Sequence, residues 1–182
     1  MPTQNPVIQQ TQKWLSTVII QHSICPFAKR EFDRGSIHYE LIESDDLHQQ
    51  LEQMILCCVQ LDNNDDIETS LLIFPKCLTA FDDYLDFIEI ANALMHKQDY
   101  EGVYQLASFH PDYCFEGSDE NDASNYTNRS PYPMLHIIRE ASLERVLKDY
   151  PNPEKIPERN IDYTSKLGIE TMKKLLLDCY KN

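Results

Sequence analysis

The sequence predicts an α/β domain with about three mainly parallel strands, five to six helices and a helical C-terminal part, packed in two or three layers. Short segments that are apolar, or in which apolar and polar residues alternate, are followed by longer segments of helical periodicity, and this order repeats along the chain. This order favours parallel strands joined by right-handed crossovers. The chain has 182 residues, the length of one domain, and 42% of them are hydrophobic. A single domain with a core large enough to need no disulfide or metal is therefore expected.

The first predicted elements are a helix, a strand and a second helix. Asn5 precedes Pro6 as an N-cap and first-turn pair, so a helix is predicted from Pro6 to about His22. Apolar and polar residues alternate over 37–41, which is typical of a strand. Residues 44–46, Ser-Asp-Asp, then open a second helix that carries one apolar stripe.

The middle of the chain predicts a buried strand, a third helix and a third strand. Residues 71–74 form a short apolar run, as expected for a central strand that is covered on both faces. Thr79 and Asp82 have the spacing of a capping box, so a helix is predicted to follow as far as about Lys97. Alternation over 102–109 predicts the third strand. The inward side chains of the third helix are predicted to be Phe81, Leu85, Ile88 and Leu94.

The chain beyond residue 109 predicts a loop and then helices. Residues 110–130 are polar and lack apolar periodicity, and a loop of this length inside a domain is usually functional or mobile. Ser130 followed by Pro131 predicts the start of a helix that runs to about Tyr150, and the tail is predicted to be helical with a break near Gly168. The expected organisation is a single domain of residues 1–182, with an α/β part (1–109), a functional loop (110–130) and a helical part (131–182).

The charge of the chain excludes two classes of partner. The net charge is −14, from 16 Lys and Arg against 30 Asp and Glu. Binding to nucleic acid or to an anionic membrane needs a basic face, so neither is expected. No apolar run approaches the ~20 residues of a membrane-spanning helix, and the first ten residues lack the pattern of a signal peptide. We therefore expect a cytoplasmic protein whose six cysteines are reduced thiols.

His110 is the first candidate for a catalytic residue. It follows the predicted third strand in the segment Ser-Phe-His-Pro-Asp-Tyr, and ligands of open α/β sheets gather at the carboxyl ends of the strands. An imidazole titrates near neutral pH, so His110 is expected to act as a general acid or base. Asp112 and Tyr113 supply an orienting acceptor and a hydroxyl group for the ligand. A strand-ending turn with a surface histidine is the alternative.

A second candidate site lies at the start of the helix predicted at Pro131. The free amide groups of the helix N-terminus, the helix dipole and a guanidinium group would together bind a carboxylate or phosphate. His136, Arg139 and Glu140 are predicted to share one helical face, with His136 as a second base or an orienting partner. An N-cap followed by surface ion pairs is the alternative. The residues expected to bind the anion are Arg129, Asn125, Asn128, Ser130 and Arg139.

Cys25 is the candidate nucleophile. It precedes Pro26 and can cap a short helical turn, where the dipole and the neighbouring Lys29 and Arg30 are expected to lower the pKa of its thiol. Cys25 could attack a substrate only if its loop folds over the same site as His110. A buried structural thiol is the alternative.

The motifs around these residues resemble a known family when they are taken together. They are Cys25-Pro-Phe-Ala, Ser108-Phe-His-Pro-Asp-Tyr, and Asn125-Tyr-Thr-Asn-Arg-Ser-Pro-Tyr-Pro followed by His136 and Arg139-Glu140; Pro157-Glu-Arg-Asn-Ile fits the same pattern. The combination is similar to a bacterial family of domains of unknown function, number fourteen-fifteen in that series, over nearly the whole chain. The resemblance implies a small cytosolic bacterial protein and brings no settled activity, cofactor or catalytic residue.

Three functions are compatible with these residues. The first is a small-molecule enzyme whose His/Arg site binds an anionic ligand. The second is a metal-dependent enzyme that uses zinc or iron. The third is a non-enzymatic acidic binding or adaptor module, which the charge and the acidic segment 116–122 support. The metal ligands of the second function would be Cys25, His110, His136 and either Glu140 or Asp112. The substrate, the reaction, the cofactor and the oligomeric state stay open at this point.

Overall fold

Four strands form one mixed sheet in the order β1–β2–β4–β3. The structure, a computed structural model, describes residues 5–181, so the first four residues of the polar start and Asn182 lie outside it. β1 is parallel to β2, whereas β4 is antiparallel to both β2 and β3. The three predicted strands therefore share one direction, as expected, and a fourth strand lies between two of them. The strands are β1 (Ile37–Leu41), β2 (Thr69–Ile73), β3 (Tyr104–Phe109) and β4 (Met134–Arg139).

Helices occupy most of the remaining chain, and two of them begin at the predicted N-caps. Asn5 Oδ1 accepts a hydrogen bond of 2.9 Å from the Val7 amide, and Asp46 Oδ1 accepts one of 2.9 Å from the Gln49 amide. The predicted break at Gly168 is confirmed, and its φ of +79° lies in the region that favours glycine. The helices are α1 (Pro6–Trp14), which continues as a π-helical segment (Leu15–Ile20), α2 (Ala28–Arg34), α3 (Leu47–Asn63), α4 (Phe81–Lys97), α5 (Glu140–Lys148), α6 (Ile156–Leu167) and α7 (Ile169–Asp178).

The sheet is covered on both faces, so the fold has three layers. One core joins α3 and α4 to the sheet face that carries Leu72 and Leu135. The other joins α1, its π-helical extension and α7 to the face that carries Leu71 and Ile73. Every residue of β2 is buried because this strand is central and covered on both sides, as its apolar run predicts. Among residues 5–181, no helix is long and apolar enough to cross a lipid bilayer.

The prediction of a helix that starts at Pro131 is wrong. Residues 134–139 form β4, and only Glu140–Lys148 are helical. The segment Met-Leu-His-Ile-Ile-Arg is apolar on both sides of a strand, as a strand between two cores requires, and so short an apolar run has no decisive period. The C-terminal part is helical apart from β4.

The start and the inward face of α4 also differ from the prediction. The N-cap of this helix is Ala80, which makes no side-chain capping bond, so Thr79 and Asp82 do not form a capping box. Leu85, predicted to point inward, is exposed. The buried face includes Tyr84, whose hydroxyl donates to the Met134 carbonyl at 2.7 Å, and this polar anchor sets the rotation of the helix. The other buried side chains of α4 are Phe87, Ala91 and Met95.

Candidate functional site

A cavity of about 830 Å³ lies over the sheet face that α1 covers. Its floor is formed by side chains of the sheet, including Leu71, Ala107 and His136, and its walls come from α1, α2, α5, α6 and two loops. Most of the lining side chains are apolar, among them Trp14 and Phe109. Cavities of this size and composition hold small organic molecules.

The cavity does not lie beyond the carboxyl ends of the parallel strands, where the sequence places the candidate site. Its lining includes Ile37 and Thr69, the first residues of β1 and β2, and Ile138 from the end of antiparallel β4. His110, which follows the opposite end of β3, is not part of the lining. The insertion of β4 brings His136 to the centre of the sheet, between Leu71 and Ala107.

His136 is the titratable group at the floor of the cavity. Thr69 Oγ1 donates its hydrogen to the Ile137 carbonyl at 2.5 Å. Because a hydroxyl group has one hydrogen, the contact of 2.6 Å between Thr69 Oγ1 and His136 Nε2 is a hydrogen bond in which protonated Nε2 is the donor. Nδ1 is then unprotonated, and the bond to Thr69 is the one hydrogen bond that the ring makes to residues 5–181. Burial lowers the pKa of His136 to about 4, so the ring is neutral at pH 7. Neutral His136 therefore presents a free acceptor nitrogen.

The charged residues that line the cavity have an excess of positive charge, although the chain as a whole is acidic. They are Arg30, Arg34 and Arg145 with Glu31 and Glu68; Arg139 also lines the cavity, but its guanidinium donates to the carbonyls of Leu61 and Ile67 on the other side of the sheet. Arg30 and Arg34 are more than half exposed and share Glu31, at 3.5 Å and 3.3 Å. Arg145 donates to the Ser142 hydroxyl at 3.0 Å and pairs with no carboxylate among the described residues. These groups make the rim a local exception to the net charge of −14.

Glu68 supplies a second free acceptor. Its Oε1 is buried and has no hydrogen-bond partner among the described residues. A buried oxygen without a partner is costly and rare in folded proteins, so this one needs an explanation. Together with Nδ1 of His136, Glu68 makes the cavity complementary to a molecule that carries hydrogen-bond donors.

Cys25 lines the same cavity, together with His136 and Asn128. Burial raises the pKa of its thiol, which contradicts the expected lowering by neighbouring cations. Lys29 pairs with Asp33 at the surface, and Arg30 lies beside Glu31, so neither charge is directed at the sulfur. The Cys25 thiol is therefore protonated at neutral pH, and its role as a nucleophile stays a prediction.

His110 is completely buried and uses both of its ring nitrogens within the protein. Nε2 bonds to the Leu78 carbonyl at 3.0 Å, and Nδ1 accepts from the Asp112 amide at 3.0 Å. The rings of Phe81 and Tyr84 lie 5.1 Å away, and burial lowers the pKa of the imidazole. His110 is thus neither the surface histidine of the alternative interpretation nor free to exchange protons with a ligand. Its catalytic role stays a prediction that this geometry does not favour.

The loop 110–130 is ordered by its own polar side chains. Arg129 donates from Nε to the Tyr113 carbonyl at 2.9 Å and from Nη2 to the Glu120 carbonyl at 2.9 Å, and its guanidinium lies over the Tyr126 ring. Asn128 donates to the Ser108 carbonyl at 3.1 Å. Arg129 and Asn128, two of the predicted anion-binding residues, therefore make their hydrogen bonds to the chain itself. The fully buried Ser130 likewise donates to the Tyr132 carbonyl.

Replacing Asn125 by alanine is expected to lower the free energy of unfolding by about 3 kcal/mol, because a completely buried side chain would lose three hydrogen bonds that hold the loop together. Asn125 is completely buried; its Oδ1 accepts from the Phe115 amide at 3.0 Å and from Ser118 Oγ at 3.0 Å, and its Nδ2 donates to the Asp119 carbonyl at 2.9 Å. Urea unfolding followed by circular dichroism measures the loss. Asn121→Ala, an exposed change in the same loop, is the control, and equal stability of the two variants would contradict this assignment.

His136, Arg139 and Glu140 do not share a helical face. Successive side chains of β4 point to opposite faces, so the Arg139 guanidinium lies on the side away from His136. It donates to the carbonyls of Leu61 at 2.5 Å and Ile67 at 3.1 Å, and so caps the end of α3. Glu140 begins α5. The expected anion site at a helix N-terminus is therefore wrong, because this helix does not exist.

The predicted metal ligands are not brought together either. Within residues 5–181, no cluster of three or more possible ligands with atoms within 4.8 Å of one another includes Cys25, His110, His136, Glu140 or Asp112. The physical reason is topological: His136 faces the cavity, whereas His110 is enclosed beyond the other end of β3.

Sequence reasoning identified His136, Cys25, Asn128 and Arg139 among the lining residues, and missed Thr69, Glu68, Arg34 and Arg145. Thr69 lies in an apolar strand, and Glu68 precedes that strand without any motif. Arg34 and Arg145 belong to ordinary amphipathic helices. Apart from the neighbours Glu68 and Thr69, these residues come from different elements, so no spacing along the chain connects them.

Comparison with known proteins gives one match. The family model described as "Protein of unknown function (DUF1415)" matches residues 6–174. Searches of the curated proteins and of the solved structures gave no match. The match spans almost the entire chain and agrees with the resemblance of the motifs, so the protein belongs to the DUF1415 family.

Proposed function

We propose that the protein is an enzyme that acts on a small, largely apolar anion bound in the cavity, with His136 as its general base. The observation that carries this proposal is the free Nδ1 of a neutral histidine at the floor of an apolar cavity of about 830 Å³. By contrast, His110 has both of its ring nitrogens bonded within the protein.

The lining supports this class of ligand. Apolar walls favour an aliphatic or aromatic body. The guanidinium groups of Arg30, Arg34 and Arg145 at the rim favour a carboxylate or phosphate. Nδ1 of His136 and Oε1 of Glu68 favour a hydroxyl or amino group near the floor. A medium-chain acid that carries such a donor satisfies all three conditions.

The roles within this site follow from the contacts. Thr69 fixes the tautomer and the orientation of the His136 ring, which leaves Nδ1 to accept a proton from the ligand. An anion bound beside the ring would favour the imidazolium and raise the pKa of His136 above its value of about 4, toward the range useful at neutral pH. Arg129, Asn125 and Ser130 hold the loop that contributes Asn128 to the wall.

The binding part of the proposal is tested with octanoate and its uncharged analogue octanamide, using the fluorescence of the single tryptophan, Trp14, which lines the cavity. We expect octanoate to bind about tenfold more tightly, because charge-assisted hydrogen bonds add at least ~1.4 kcal/mol. Ala107→Phe fills the floor and should weaken binding at least tenfold, whereas Ala141→Phe, on the exposed side of α5, should not. Equal binding of acid and amide would contradict the preference for an anion, and undiminished binding to Ala107→Phe would show that the cavity is not the site.

The catalytic part is tested by mass spectrometry of a mixture of medium-chain hydroxy and amino acids incubated with the protein. His136→Gln keeps a donor to Thr69 and removes the base, so turnover should fall by about 10²-fold or more while binding persists. His48→Gln, at an exposed position of α3, should retain the wild-type rate.

A carrier for the same molecules is the second candidate. The apolar composition of most of the wall favours it, because binding alone needs few polar groups. Tight binding of octanoate without conversion of any acid in the mixture would support the carrier and contradict the enzyme.

A further inference from the structure

A second cluster of chemically active side chains lies on the opposite face of the sheet from the cavity. We propose that His38, Glu40 and Cys57 bind one zinc ion, or a similar divalent transition metal, between β1 and α3. This site is separate from the cavity and does not depend on the proposed function.

The strand and helix geometry explains why these three residues meet. His38 and Glu40 are two residues apart on β1, so they point to the same side, while the alternate residues Ile37 and Tyr39 pack into the core on the cavity side. Cys57 lies on the buried side of α3 and packs in the other core. The β1–α3–β2 crossover thus places one thiol over two neighbouring strand residues.

The distances match a metal centre. One ligand atom from each of the three residues lies within 4.8 Å of the others. His38 Nε2 and Glu40 Oε2 are 3.6 Å apart. Two ligands of a tetrahedral zinc ion, with bonds of about 2.0–2.3 Å, are separated by about 3.3–3.8 Å. These two atoms therefore already have the spacing that a shared metal requires.

Neighbouring groups orient the ligands in the way that metal sites need. Gln53 Nε2 donates to Glu40 Oε1 at 3.2 Å, which leaves Oε2 free to face His38. Ser70 Oγ lies 3.5 Å from His38 Nδ1, so the other ring nitrogen is available to a metal. Such outer contacts fix the direction of a ligating imidazole or carboxylate.

The combination of ligands selects the metal. A thiolate, an imidazole and a carboxylate together suit zinc better than magnesium or calcium, which prefer oxygen ligands alone. The side chains of His38 and Glu40 are 23% and 28% exposed, so an ion can reach the site, whereas Cys57 is buried. Three protein ligands leave the fourth position to water.

The test uses the full-length protein, purified without a metal-affinity tag, stripped with a chelator and titrated with Co²⁺ as a spectroscopic substitute for Zn²⁺. We expect one equivalent to bind, with the intense visible bands of tetrahedral cobalt and a thiolate-to-cobalt charge-transfer band, and Zn²⁺ to displace it. Cys57→Ala should abolish the charge-transfer band. Cys58→Ala removes the adjacent buried thiol, which contacts Met95, and should retain the band.

Two variants on the partly exposed edge strand keep the test decisive even if Cys57→Ala does not fold. His38→Ala and Glu40→Gln should each weaken Co²⁺ binding at least tenfold. Binding below one equivalent, a charge-transfer band that disappears in Cys58→Ala, or wild-type affinity in both His38→Ala and Glu40→Gln would overturn the proposal.

Discussion

Replacing Trp14 by alanine is expected to lower the free energy of unfolding by about 4 kcal/mol. The indole is 1% exposed, stacks edge-on against Phe109 with ring centroids 5.3 Å apart, and donates from Nε1 to the Arg129 carbonyl at 3.0 Å. Alanine would leave that carbonyl unpaired and join the vacated space to the existing cavity. For a chain of this length the loss corresponds to a fall of roughly 10 °C in Tm.

The conservative change Trp14→Phe separates the two contributions. Phenylalanine keeps most of the packing and removes only the N–H donor, so a loss of about 1–2 kcal/mol is expected. Urea unfolding followed by far-UV circular dichroism measures both variants without using tryptophan fluorescence. A loss below 1 kcal/mol for Trp14→Ala would mean that the indole does not connect α1 to the loop 110–130.

Acid is expected to destabilise the protein by about 2 kcal/mol between pH 7 and pH 5 through His136 alone. The pKa of this residue is about 4 in the folded protein, because burial disfavours the charged ring, and ~6.5 in the unfolded chain. Between these two values the unfolded chain binds the additional proton. The contribution of His136 is therefore fully present above pH ~6.5 and is lost as the pH falls toward 4. The lowered pKa of buried His110 acts in the same direction.

The control for this pH effect is His136→Gln, which cannot titrate. The difference in unfolding free energy between pH 7 and pH 5 should shrink by about 2 kcal/mol in this variant. His48→Gln removes an exposed histidine and should retain the wild-type difference. If His136→Gln were as acid-sensitive as the wild type, the ring could not be buried and neutral as described.

The sequence predicts those elements best whose signals are local. The N-caps at Asn5 and Asp46 bond as expected because capping depends on residues only two or three positions apart. β4 was missed because helix and strand are both compatible with a short apolar segment after a proline. The strand conformation of this segment is decided by the position between β2 and β3, which exists only in the assembled sheet.

The candidate site was predicted less well than the fold for a related reason. The dense motif around His110 and Arg129 contains the residue types of an active site, yet these groups bond mainly to carbonyl and amide groups of the same loop. A long polar segment that is partly buried must pair its buried polar groups within the chain, and this need produces the same composition as ligand binding. Among the histidines near these motifs, His136 and not His110 has a free nitrogen, and only the partners of each ring distinguish them.

The sequence by itself determined the α/β class, the common direction of three strands, the helical tail and the family. The tertiary structure decided which face of the sheet is open, which arginines surround the cavity, and that His38 and Glu40 lie near Cys57. The physical reason is the distance along the chain over which each interaction acts. Periodicity and capping act within one or two turns of chain, whereas a cavity and the pairing of a buried polar atom depend on residues far apart in the sequence.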